Sequence, residues 1–104
     1  MNAGQKIRML RKQKRMTLDE LAAAAGMSKS YLWELENRET AKPSAEKLDS
    51  LARTLGVPVS YFLEQESSTP QERHLDAAFF RDYSQLDSTA KEQLRKIMEA
   101  FRTK

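Results

Sequence analysis

The chain has 104 residues, no cysteine and 39% apolar side chains. That suffices for one compact domain with a small core plus an appendage, and it excludes disulfides and thiolate metal sites. Net charge is +3, and neither a membrane-length apolar run nor an apolar N-terminal signal is present, so a cytoplasmic protein without a membrane partner is expected.

The charge is uneven. Residues 1–64 hold eleven Lys/Arg against eight Asp/Glu, and residues 65–104 hold seven of each. Six basic side chains and no acid fall in the first fifteen residues: Lys6, Arg8, Arg11, Lys12, Lys14 and Arg15. A basic cluster on an early helix suits phosphate, although a solvated helix face has the same composition.

The elements are helices throughout, with no alternating stretch long enough for a strand. A first helix is predicted over about 4–15, with Ile7 and Leu10 on its apolar stripe and Met16 ending it. Thr17 to Glu20 has the capping-box pattern and starts a second helix, buried through Leu21, Ala22 and Ala25. Gly26 is placed to stop it in the left-handed conformation. Only Met27 separates that glycine from Ser28, the cap of a third helix over 28–37. Pro43-Ser44 opens a fourth, about 45–55, with Leu48, Leu51, Ala52 and Leu55 at three-four spacing, and Gly56 ends it. After the extended Val57-Pro58-Val59, Ser60 is expected to cap a fifth helix with Phe62 and Leu63 facing inward.

The polar, turn-rich segment 65–72 reads as a linker. Two further helices are predicted, about 74–84 and 89–102, the second capped by Asp87 or Ser88. Leu75, Ala78, Phe79, Tyr83 and Leu86 form the stripe of the first. Leu94, Ile97, Met98 and Phe101 repeat at helical spacing on the second. Neither helix can bury its stripe alone. The expected organisation is a domain over 1–64, a linker over 65–72 and a helical extension over 73–104.

Residues 18–37 meet the demands of a helix-turn-helix. Ala22 is small where two helices cross steeply, Gly26 supplies the turn, Met27 plugs the corner, and Leu32 and Leu35 anchor the second helix. The whole stretch "TLDELAAAAGMSKSYLWELENRETAKPSAEKLDSLARTLGVPVSYFLE" resembles the helix-turn-helix domain of the Xre family, which includes the phage repressor and Cro proteins. The likeness spans about residues 4–64. It implies an all-α, five-helix repressor-like domain that binds a double-stranded DNA operator as a homodimer, with helix 28–37 in the major groove. No cofactor and no metal are expected.

Carried over by position, the resemblance gives base contacts to Lys29, Ser30 and Glu34, with Ser28 and Tyr31 nearby. Lys29 would donate to guanine, Glu34 would accept from cytosine N4, and Ser30 suits either role. Thr17, Asn37, Arg38 and Lys42 are the phosphate candidates. Glu36 matches a glutamate that pairs inward with an arginine of the first helix, here Arg11. Two positions depart from the family. Leu18 replaces a glutamine that contacts DNA. Arg38 replaces the usual closing glycine, which leaves Asn37 for the left-handed role.

Trp33 lies one residue off the buried stripe. It either packs as a half-exposed flank on the first helix or the following loop, or reaches a sugar-phosphate through its indole N–H. His74 is expected at the surface, and the methionines as core or corner filler. No paired carboxylates and no phosphate-binding glycine loop point to an enzyme. The stripe of Leu75, Phe79, Tyr83, Leu94, Ile97, Met98 and Phe101 is the expected dimer or partner surface. A repressor is therefore the leading reading. The alternative is an antitoxin or adaptor that holds a partner protein through its C-terminal helices.

Overall fold

A computed structural model describes residues 1–65 and 69–103. Among these residues the elements are seven helices: α1 (Ala3–Gln13), α2 (Leu18–Ala24), α3 (Lys29–Asn37), α4 (Ala45–Leu55), α5 (Val59–Leu63), α6 (Glu72–Ser84) and α7 (Ser88–Arg102). The expected linker at 65–72 falls partly outside them. No described helix is long and apolar enough to cross a membrane.

The first five helices enclose one core. Ile7, Leu10, Leu21, Leu32, Leu51, Leu55, Val57, Tyr61 and Phe62 are buried in it, and Met16, Met27 and Tyr31 pack at its edge. The capping box at Thr17 and Glu20 is formed, with both hydrogen bonds present. Ser28 and Ser44 cap α3 and α4 by accepting amide hydrogens of Tyr31 and Lys47. A further capping box, made by Asn2 and Gln5, opens α1.

Several expectations about this domain are corrected. α5 begins after Pro58, whose φ of −76° already suits a helix entry, so Ser60 lies inside the helix and caps nothing. Tyr61 and Phe62 form the inward pair of α5, and Leu63 is 68% exposed. Asn37 is the last residue of α3, and Arg38 leaves in extended conformation (φ −113°, ψ 120°), so no left-handed residue closes this helix. Instead, Asn37 Nδ2 donates to the Trp33 carbonyl and satisfies it from the side.

Lys6 is not a phosphate ligand in waiting. It is fully buried, and its ammonium donates to the Tyr61 carbonyl at 2.7 Å and to the Glu64 carbonyl. Its charge thus caps the C-terminal end of α5. Burial lowers its pKa, and the negative charge of Glu64 opposes that shift.

His74 is 1% exposed, the opposite of the surface position expected. Its Nδ1 accepts the Gln71 amide hydrogen at 2.9 Å, which leaves Nε2 to donate to Glu64 at 2.9 Å. Arg73 donates both arms of its guanidinium to the same carboxylate. These bonds, led by that from Arg73, hold the Glu64 carboxyl at about 2. The Tyr61 ring meets His74 edge-on at 5.1 Å. This joint, with Ala78 buried below it and Arg81 donating to the Val57 carbonyl, docks α6 on the domain. The docking face is therefore 74/78/81, and the predicted stripe of Leu75 and Phe79 points elsewhere. α7, capped by Asp87, contains no buried residue.

Candidate nucleic-acid interface

α3 divides its residues between two faces. Leu32, Leu35 and Glu36 are buried. Lys29, Ser30, Trp33 and Glu34, which recur at one-turn spacing, are exposed together on the other side. Short turns fix α3 rigidly. Gly26 has a φ of 71°, and the Met27 amide reaches back to the Ala22 carbonyl at 2.9 Å. Lys47 donates to the Gly26 carbonyl at 2.7 Å and ties the turn to α4, a clamp that no local sequence signal announces.

The other end of α3 is held by α1. Arg11 donates Nε and Nη2 to the two carboxylate oxygens of Glu36 at 2.8 and 2.9 Å, and Nη1 to the Met16 carbonyl. This is the inward pair that the resemblance implied. Donating to Glu36 raises the Arg11 pKa above its ordinary value. Beside it the two backbones nearly touch: a Cβ on Gly4 would lie 2.1 Å from the Leu35 carbonyl oxygen. With Lys6 and Arg11 turned inward, the exposed basic residues of this segment are Arg8, Lys12, Lys14 and Arg15.

The expected contact residues sort as follows. Ser30 and Glu34 are exposed with no competing role in the fold. Lys29 is exposed and lies 3.4 Å from Asp19, the second residue of α2. Ser28 uses its oxygen as cap acceptor and keeps its hydroxyl hydrogen for a further partner. Tyr31 is half-buried against the core. Thr17 has both its amide and its oxygen engaged by Glu20, so only its hydroxyl hydrogen remains to donate. Asn37, Arg38 and Lys42 are exposed at the end of α3 and in the loop beyond it.

Trp33 is half-exposed, as a flanking residue would be. It is 48% exposed and lines an open cleft of about 260 Å³ with Leu18, Lys29, Ser30 and Glu34. Among the described residues no group of three or more His, Cys, Asp or Glu is placed to hold a metal.

Comparison with known proteins agrees with this geometry. The helix-turn-helix family profile matches residues 7–62. The HTH-type transcriptional regulator SinR of Bacillus subtilis (strain 168) is 32% identical over 99 residues, which cover 92% of this chain and 88% of that protein. The crystal structure of SinR, the master regulator for biofilm formation, in complex with DNA superposes with a TM-score of 0.57 at 39% identity, over 60% of this chain and 98% of that one. A complex of the SinR and SinI proteins matches along 97% of this chain and 98% of that one, with a TM-score of 0.59 and 26% identity. The chain belongs to the helix-turn-helix family of Xre type, and it is a DNA-binding transcriptional regulator, not an enzyme.

Proposed function

We propose that the protein is a cytoplasmic repressor that binds a two-fold operator as a homodimer, with one α3 in the major groove of each half-site. The observation that carries this reading is the exposed row on α3, held by caps and an ion pair that keep its inner face fixed. Lys29, Ser30 and Glu34 read base edges, with Ser28 and Tyr31 at the margin of that contact. Thr17, Asn37, Arg38 and Lys42 flank the groove and meet phosphates. Residues 1–64 form the DNA-binding unit, and residues 73–104 form the dimerising extension. Occupation of an operator that overlaps a promoter represses by excluding the polymerase.

Footprinting on the DNA upstream of the protein's own gene tests this reading. Two symmetric protected blocks are expected, centred about 34 Å apart, one helical turn. Affinity should fall steeply as salt rises, because phosphate contacts release counterions. A titration with no sequence preference and no salt dependence overturns it. The likeness to the SinR/SinI complex favours a second role for the same extension, as a surface that holds a separate protein partner.

A further inference from the structure

We propose that Leu18 and Trp33 read thymine: the cleft between the start of α2 and the outer face of α3 receives the 5-methyl edge of one thymine in each half-site. The proposal rests on the reading of α3 as the major-groove helix and names a base that this face selects. Leu18 and Trp33 supply the apolar walls, and Lys29, Ser30 and Glu34 supply the polar rim. The indole is not recruited by the core, whose edge on this side is completed by Leu18, Met27 and Tyr31. Leu18 and Trp33 together make an apolar surface inside a polar rim, which matches a partner that presents an apolar group among polar ones. In the major groove the apolar group that a base pair presents is the thymine methyl, and it lies beside the donors and acceptors that the polar rim matches. The cleft has a volume of about 260 Å³, and its rim offers both a donor for base edges, the Lys29 ammonium 3.4 Å from Asp19, and an acceptor, the Glu34 carboxylate.

The test uses the full-length chain and a duplex recovered by selection from a randomised pool. Each thymine is replaced in turn by deoxyuridine, which removes only the methyl. One position per half-site should lose about fourfold in affinity, the worth of one buried methyl. Trp33→Ala should abolish that difference, so that thymine and uracil duplexes bind alike. Leu18→Ala should reduce it. Because Trp33 is half-exposed, its variant keeps the fold, which thermal melting checks. The proposal is overturned where no thymine responds to loss of its methyl, as contact of the indole N–H with a phosphate would give. It is equally overturned where Trp33→Ala keeps the full response. If Lys29→Ala and Ser30→Ala both leave affinity for the selected duplex unchanged, the groove assignment itself falls, whatever the methyl effect.

Discussion

Single residues close three of the helices in the same way. The amides of Met16, Met27 and Val57 reach back to the carbonyls of Arg11, Ala22 and Ala52 at 3.0, 2.9 and 3.0 Å. The residue before each amide is left-handed: Arg15 at φ 56°, Gly26 at 71° and Gly56 at 74°. Two of these positions have glycine, which adopts that conformation freely. Arg15 has a Cβ and is strained there by about 1–2 kcal/mol. Arg15→Gly should therefore raise stability by about 1 kcal/mol after the added freedom of the unfolded chain is counted. Gly26→Ala should lower it by a similar amount. Its Cβ would meet nothing within 4 Å, so the cost there is conformational alone. Urea midpoints at unchanged slope check both values. A destabilised Arg15→Gly would show that the arginine side chain contributes more than its backbone costs.

Between elements, the crossing of α1 and α3 decides where the contact face points. Arg11 and Glu36 are held there with side chains 13% and 1% exposed. Such a pair fixes position more than it adds stability, because desolvation offsets much of its attraction. Glu36→Ala leaves the Arg11 charge partly buried and unpaired, and should cost about 3 kcal/mol. The double change Arg11→Met with Glu36→Leu should recover most of that loss while weakening operator discrimination, since α3 is then held by packing alone. Denaturant melts and a binding isotherm separate the two effects. The pair was legible because a family glutamate sits at that position and its partner lies on the first helix. Gly4 was not, because nothing in its neighbourhood tells that the backbone of Leu35 crosses 31 residues away. Lys6 and His74 were misread for a related reason. Both are polar types usually found at the surface, and both are held by partners outside their own helix, the carbonyls of Tyr61 and Glu64 for Lys6, 55 and 58 residues away, and the Glu64 carboxylate for His74, 10 residues away. The stripe on α6 was legible as apolar, but its direction was not, since polar anchors at 74 and 81 turn a different face to the domain.

At the scale of the whole molecule, the chain is elongated, 49 × 28 × 24 Å, and most of its exposed large apolar side chains lie on α6, α7 and the turn between them. Leu75, Phe79, Phe80, Ile97 and Met98 are all about half exposed or more, and α7 has no fully buried residue, with Leu94 half-buried. Within α6 and α7 the ring of Tyr83 stacks on Phe79 at 6.4 Å between centroids and lies under the cations of Lys91 and Arg95. A helix of 15 residues with so little burial is marginal in water by itself. On the proposed reading its stripe is covered by a second copy, which places two α3 helices on one duplex with no further component. Linking two modest binding events in this way is worth about 10²–10⁴-fold in affinity. Ile97→Asp with Met98→Asp should convert the dimer to a monomer in sedimentation equilibrium and weaken operator binding by about that range. The core of residues 1–64 should keep its own melting transition, because α6 stays docked through His74, Ala78 and Arg81. Loss of affinity without loss of the dimer would place the contribution of α7 elsewhere. A monomer that still protects both half-sites at unchanged concentration would assign dimerisation to the DNA-binding unit and leave the α7 stripe to a partner protein.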